Sequence, residues 1–327
     1  MRNISKDILS NQYKRVYLLF GDETYLKHQY KNKLIKGICG DDTMNYSYFE
    51  GKNIDTVEVI GISETLPFFA DLRAVVIENS GFLKNSNEAL ADYLTHIPET
   101  TTIIFVEEEV DKRSKVYKKI KDSGYICEMT AQPVEVLKKW IVGILESNDK
   151  KIKESTLNHF IDTVGTDMEN IHSEMEKLVC YCLDKEIIEN DDIDAVCTQT
   201  ITTKIFDLID ALGYKNKDRA LQIYYDLILN QEPPEMILYM LSRQFNIMIQ
   251  VSELKRMGLN SKQMTEKMGL APFVITKTLR QIDNFSYSAL QSALEDSIDL
   301  SEKTRNDMID KKIAIEMMII KYSSKKI

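Results

Sequence analysis

Absences set the first bounds on this sequence. It has no Gly-x-x-x-x-Gly-Lys-[Ser/Thr] phosphate loop, no Cys-x-x-Cys pair, no internal repeat and no apolar run near the roughly 20 residues that span a membrane. Its cysteines, Cys39, Cys127, Cys180, Cys182 and Cys197, are odd in number and unevenly spaced, so neither a zinc site nor a disulfide framework is indicated. Cys180 and Cys182, two apart in a helical pattern, read as small buried hydrophobes. The opening Met1 to Lys6 lacks the apolar core of a signal peptide, and a cytoplasmic protein with no membrane partner is expected. Positive charge is also short. The 42 Lys and Arg stand against 51 Asp and Glu, a formal −9, which argues against a dedicated, free-standing nucleic-acid binder. The deficit is uneven: the first 212 residues carry 25 basic and 37 acidic groups, the remainder 17 and 14. The C-terminal part is therefore the only plausible neighbour for DNA.

What is present begins as an α/β pattern. Val16 to Phe20 is a short apolar run, stopped by Gly21-Asp22 and followed by a helical spacing through Tyr25, Leu26, Tyr30, Leu34 and Ile35. Further strands are expected at Tyr46 to Phe49, Ala74 to Ile77, Thr102 to Val106 and Tyr125 to Met129, with helices at about 54–66, 86–96 and 112–123 between them. Short apolar strands alternating with helices predict a largely parallel sheet covered on both faces. The first strand-to-helix turn is where a phosphate cradle would sit. Here it offers one glycine and two carboxylates, and Asp22 and Glu23 are expected to satisfy the helix's first N–H groups themselves while repelling a nucleotide. Ile103 to Glu108, apolar residues and then acids, reads as a charged strand exit with no phosphate loop to complete.

Pro133 opens a helix through Trp140, read as a connector with Trp140 in inter-domain packing. Short helical patterns follow to about 208, among them a helix capped by Asp167, on which His172 and Glu176 read as a surface pair lacking a third metal ligand. From about 213 the chain is helical: Pro233-Pro234 to Arg256, Ser261 to Met268, Pro272 to Asp283, and Ser286 to about Lys321. The run Ile313 to Ile320 is apolar almost all round, which predicts burial on several sides, within its domain or against another subunit. These patterns give domains at 1–139, 140–212 and 213–327.

The stretch around which the chain is organised is Glu64 to Arg73, with the apolar Ala74 to Ile77 after it. An amphipathic helical pattern runs into Pro67, which cannot continue a helix. Phe68 and Phe69 then begin the return toward a strand, and adjacent side chains there are expected to diverge rather than share one core pocket. Two readings stand: one ring anchors the loop in the core while the other caps a helix end, or the pair is a hydrophobic plug for a partner's pocket.

Taken together, Val16 to Leu26, the Leu66 to Arg73 turn, Asp111-Lys112-Arg113, Glu174 to Leu178, Ile205 to Ala211 and Arg243-Gln244-Phe245 resemble the delta subunit family of the bacterial DNA polymerase III clamp loader over nearly the full length. The resemblance implies an α/β plus all-α chain: an AAA+-like N-terminal parallel-sheet domain with a degenerate nucleotide site, a small helical domain and a C-terminal helical collar. It implies a non-ATPase subunit that binds the sliding clamp (beta subunit) and opens its ring for loading onto primed DNA. Its other partners would be clamp loader subunits of the gamma/tau and delta-prime types. It would belong to a DNA polymerase holoenzyme, with no catalytic site and no cofactor or metal of its own. The family's clamp contact, an apolar pair at the tip of the helix before the third strand, carries onto Phe68 and Phe69, with Leu66 and Pro67 beside them. This turn departs from the family in having Pro67 before the pair and an additional residue before Arg73. Competing readings are a nucleotide-binding ATPase, which needs a phosphate loop; a delta-prime-like subunit, commonly carrying a four-cysteine zinc module; and a helical scaffold without a clamp partner.

Overall fold

A computed structural model describes residues 2–84 and 87–323 of the chain. They form two compact units, one holding the chain up to Gly143 together with Asp167–His172, the other Ile144–Thr166 together with the chain from Ser173 onward. The expected boundary near 212 falls inside the second unit.

The first unit opens with α1 (Arg2–Ser10), β1 (Val16–Phe20) and α2 (Thr24–Cys39), then β2 (Tyr46–Glu50) and α3 (Thr56–Ser63). It continues with β3 (Arg73–Glu78), α4 (Glu88–Tyr93), β4 (Thr101–Glu107), α5 (Lys115–Ser123) and β5 (Tyr125–Glu128), and takes in most of α6 (Val134–Ser147). The start of the expected 86–96 helix, residue 86, lies outside the described residues. All five strands are parallel, in the order β2-β3-β4-β1-β5. β1, β3 and β4 are buried along their whole length, as unbroken apolar runs covered on both faces must be. Val75, Ile77, Ile103 and Phe105 join Val59 of α3, Leu90 of α4 and Ile120 of α5 in one core. This is the α/β half of the expected architecture, and the strand positions agree with the sequence to within two residues at every end.

The second unit is helical apart from a two-stranded parallel ribbon, β6 (Lys151–Ile152) with β7 (Ile187–Ile188). Its helices are α7 (Glu154–Val164), most of α8 (Met168–Tyr181), α9 (Asn190–Val196), α10 (Ile201–Gly213), α11 (Lys217–Leu229) and α12 (Pro234–Arg256). They continue with α13 (Ser261–Met268), α14 (Pro272–Gln281), α15 (Tyr287–Arg305) and α16 (Lys311–Ser323). Lys150 locks the ribbon region: its buried ammonium donates to the carbonyls of Cys182, Leu183 and Lys185 at 2.7, 2.9 and 2.7 Å. A second core joins α10, α11, α12, α14, α15 and α16, with Phe245 edge-to-face on Phe285 and facing Tyr322.

The structure resolves two expectations more finely and corrects two others, on Cys180 and Glu107. The final helical region is two helices, broken where Asp307 takes φ 52°. In α16 the residues Ala314, Ile315, Met318 and Ile319 are buried, whereas Ile313, Met317 and Ile320 are about half exposed; the run is apolar all round but covered on one side of this chain only. Cys180 is exposed while Cys182 is buried, because positions two apart on a helix point different ways. Glu107 is a buried strand end rather than a charged exit, its carboxylate accepting from the backbone N–H and hydroxyl of Ser80, while Glu108 stays in solvent.

Candidate functional site

The loop between α3 and β3 is fixed at both ends by residues that the strands supply. α3 starts at its cap Asp55, whose carboxylate accepts the Val57 N–H at 2.8 Å, and ends at Ser63 rather than near residue 66. The helix stops early because Pro67 bars the α conformation at Leu66, and because its last carbonyls are taken elsewhere. The Arg73 guanidinium, buried at the start of β3, donates to the Ile62 carbonyl at 3.2 Å, and the Thr101 hydroxyl of β4 donates to the Ser63 carbonyl at 2.8 Å. A cation at a helix C-terminus meets the negative end of its dipole.

The tip is held by Asn45, a residue that no sequence pattern selects. Wholly buried just before β2, it grips the main chain of Phe68 from both sides: its Oδ1 accepts the Phe68 N–H at 2.6 Å and its Nδ2 donates to the Phe68 carbonyl at 2.8 Å. The same Nδ2 donates to Asp42 at 2.6 Å, and the Asn45 carbonyl accepts the Ala74 N–H of β3 at 2.9 Å. The tip is thus tied to the sheet through backbone atoms, which leaves its side chains outside.

Those side chains are apolar and exposed. Leu66 is 75% exposed, Phe68 52% and Phe69 95%, with Pro67 half-buried beneath them. Phe69 sits at φ 48°, the left-handed region that bulky residues rarely enter. That conformation corrects the expectation of diverging rings: Phe68 and Phe69 meet edge-to-face, centroids 4.5 Å apart and planes at 81°, forming one two-ring knob. Neither ring serves as a core anchor. The structure therefore pairs Phe68 and Phe69 in one apolar projection on a backbone that Asn45 holds, with the exposed Leu66 two residues before it. An asparagine before a strand is a common turn residue, so only the pairing geometry singles out Asn45.

At the opposite end of the sheet, two backbone donors of the turn after β1 are already engaged. The Gly21 N–H donates to the Glu107 carbonyl at 3.3 Å and the Glu23 N–H to the Met129 carbonyl at 3.1 Å. Glu23 stands at the N-cap position of α2. Burial pushes the Glu23 carboxyl up from the usual carboxylate range, the Tyr25 backbone N–H opposing it. Lys27 is buried, its ammonium 3.5 Å from the Glu107 carbonyl. The cleft beside the turn is lined by Asp22, Glu108, Glu109 and Glu128, and its Lys112 is paired with Glu128 at 3.1 Å. Such a surface, with two of its amides already engaged, offers a phosphate no net positive charge. Trp140, on α6, packs against Tyr25 of α2 at 5.3 Å, and His172 lies 5.4 Å from the same ring.

Among the described residues no group of His, Cys, Asp and Glu is arranged to hold a metal, and no helix is long and apolar enough to cross a membrane. Residues 17–130 match the family model described as DNA polymerase III, delta subunit, and residues 202–322 match that of the DNA polymerase III delta subunit, C-terminal domain. The chain is 24% identical to the DNA polymerase III subunit delta of Bacillus subtilis (strain 168), over 97% of this chain and 95% of that one. It is 25% identical to the probable DNA polymerase III subunit delta of Aquifex aeolicus (strain VF5), over 78% and 76%. Among solved structures it is similar to the Bacillus subtilis DNA clamp loader delta protein, with a TM-score of 0.69, 23% identity and 99% of each chain covered.

Proposed function

Because the chain belongs to the DNA polymerase III delta subunit family, we propose that it acts in a clamp loader by inserting the Leu66-Pro67-Phe68-Phe69 knob into the sliding clamp and holding that ring open for loading onto primed DNA. The observation that carries this reading is Phe69, almost fully exposed and left-handed, on a backbone that Asn45 holds in place. An exposed aromatic in a strained conformation is maintained only where the surroundings over-determine it, and such sites cluster where proteins grip ligands. Opening a closed ring requires a ligand that prefers the open state, and the shift obtainable equals its differential affinity. A rigid two-ring knob suits that task, since little ordering cost is left to meet on binding and each buried aromatic supplies about 2 kcal/mol or more.

In the same proposal this subunit has no chemistry of its own and leaves ATP turnover to gamma/tau-type neighbours, in agreement with the engaged amides and acidic cleft at the β1–α2 turn. The segment from 213 onward serves assembly with those neighbours and a delta-prime-type subunit, the exposed Ile313, Met317 and Ile320 of α16 lying on the outer side of a helix whose inner side is already covered.

The test is surface plasmon resonance on the sliding clamp from the same organism, with wild type against the Phe68→Ala/Phe69→Ala double variant. The double variant is expected to bind roughly 1,000-fold more weakly, about 2 kcal/mol per ring if the losses add. Its melting temperature should stay close to wild type. Unchanged affinity in a folded double variant overturns the knob as the clamp contact.

A further inference from the structure

Both stretches of chain that build the Phe68–Phe69 knob carry acids and lack bases. On the loop between α2 and β2, the Asp42 carboxylate shares one donor with the Phe68 carbonyl: Asn45 Nδ2 reaches the first at 2.6 Å and the second at 2.8 Å. This carboxylate therefore lies beside the main chain of the knob. Glu64 closes α3 two residues before Leu66, and Asp71 follows Phe69 by two. Asp41, Asp42, Glu64 and Asp71 are all exposed, and among the described residues none of them is in an ion pair.

No cation balances them locally. Residues 37–51 and 53–72 hold seven acids and not one Lys or Arg. Lys52, between the two stretches, follows the carboxyl end of β2, whereas the knob stands at the amino end of β3. Arg73 is buried, its guanidinium turned to the Ile62 carbonyl. Lys36, in the last turn of α2, is the base that remains before the tip loop.

An exposed aromatic pair can enter a lipid layer, stack on nucleic-acid bases or fill a pocket in a protein. The first two surfaces present phosphates, which the carboxylates around this pair repel. A protein pocket can instead carry the opposite charge at its edge. Resting on the reading of the knob as the clamp contact, we infer that its receptor is an apolar pocket rimmed by Lys or Arg, and that Asp42, Glu64 and Asp71 guide the encounter while the two rings hold the complex. The division follows from range. Exposed charges act over about 10 Å at 0.1 M salt, before the surfaces touch, and so set the rate of association. Rings act only once they are desolvated in the pocket, and so set its lifetime.

The experiment measures on-rates and off-rates of the full chain on the sliding clamp of the same organism by surface plasmon resonance, at about 50, 100 and 200 mM salt. Two variants change the rim, Glu64→Gln/Asp71→Asn and Glu64→Lys/Asp71→Lys; Asp42 stays, because its carboxylate also accepts from Asn45. At the lowest salt the neutral variant should associate about threefold more slowly than wild type and the reversed variant about tenfold more slowly. Their off-rates should stay within about twofold of wild type, and the fall of on-rate with salt should shrink in the first and reverse in the second. Phe68→Ala/Phe69→Ala should do the opposite, keeping the salt dependence and dissociating faster. If that variant is weakened while both rim variants associate like wild type at every salt, the inference is overturned and the clamp reading stands. If it binds with full affinity, the clamp reading fails and this inference falls with it. Faster association of the reversed variant, which would mean an acidic rim on the clamp, also overturns it. So does saturable binding of wild type to phosphatidylglycerol vesicles that the Phe68→Ala/Phe69→Ala variant loses, which would make the knob a lipid anchor.

Discussion

The turn after β1 and the loop before β3 lie at opposite ends of one parallel sheet and distribute their polar groups in opposite ways. After β1 the Gly21 and Glu23 N–H groups are taken by the carbonyls of Glu107 and Met129. At Leu66 to Phe69 the backbone is consumed too, by Asn45, but the side chains left over are apolar and point outward. Open α/β sheets usually bind ligands beyond the carboxyl ends of their strands. Here that end is lined with acids, and the exposed apolar side chains sit at the amino end of β3. On the proposed function, the difference teaches that a fold can keep its frame while its working surface moves to the far edge.

The largest expected effect on folding tests how fixed the first turn is. Gly21 has φ 127°, and a Cβ there would lie 2.1 Å from the Met129 carbonyl oxygen, a backbone atom with no room to retreat. Gly21→Ala should therefore cost about 3 kcal/mol or more in urea unfolding, since it combines a forbidden conformation with a hard overlap. Gly40→Ala is the internal control: its φ is 63° but nothing lies within 4 Å of the added atom, so only the conformational cost of about 1 kcal/mol remains. Equal losses at the two positions would mean that the β1–α2 turn is looser than its hydrogen bonds indicate.

Removing the grip on the other turn should matter next most. Asn45→Ala leaves the Phe68 N–H and carbonyl without their buried partner and removes a donor from Asp42, a loss of about 2 kcal/mol by the usual cost of unmade hydrogen bonds. The knob would keep its rings but lose its fixed position. Clamp affinity should therefore fall by about tenfold, through ordering that binding must now supply. Full affinity in a destabilised Asn45→Ala would show that the rings, and not their rigidity, determine the contact.

The legible part of this structure in the sequence was the part carried by pattern. Val16 to Phe20, Ala74 to Ile77 and Thr102 to Val106 are apolar runs, and each is a wholly buried strand. Phe68 and Phe69 stood out because two aromatics after a proline fit no core periodicity. Relations between distant residues had no such pattern to carry them. Asn45 lies 23 positions from Phe68, Thr101 38 from Ser63, and neither hydrogen bond leaves a periodic trace. The meeting of the two rings depended on one left-handed residue, Phe69, where adjacency alone argues for divergence.

Phe69→Asn separates strain from function with a smaller effect on folding. Asparagine tolerates the left-handed region better than phenylalanine, a gain of about 1 kcal/mol, while removing the edge-to-face pairing costs about 0.5–1.5 kcal/mol. The two nearly cancel, so the melting temperature should stay within a few degrees of wild type. Clamp affinity should fall by about 30-fold or more. A loss of about 3–5 kcal/mol in stability, the cost of truncating a core aromatic, would place the ring in the core after all.

The smallest effect belongs to the buried acid beneath the first turn. Burial raises the Glu107 carboxyl above its ordinary value of 4.5, only partly offset by the hydrogen bonds from Ser80 and Gly81. A raised folded-state value means that the folded protein holds this proton more tightly than the unfolded chain. The stability it contributes is thus fully present below pH 4.5 and lost as pH rises through the folded value. Glu107→Gln keeps an oxygen that can accept the Ser80 N–H, now at 3.0 Å from the carboxylate, but carries no charge at any pH. Its melting temperature relative to wild type should therefore be higher at pH 7.5 than at pH 4, even if the absolute values at both are set by other groups. Calorimetric scans of the two proteins at those two pH values give the double difference directly. If it is zero, or favours glutamate at pH 7.5, then Glu107 is stabilised as the anion by Ser80 and Gly81, and the inward-facing end of the sheet is better solvated than its burial implies.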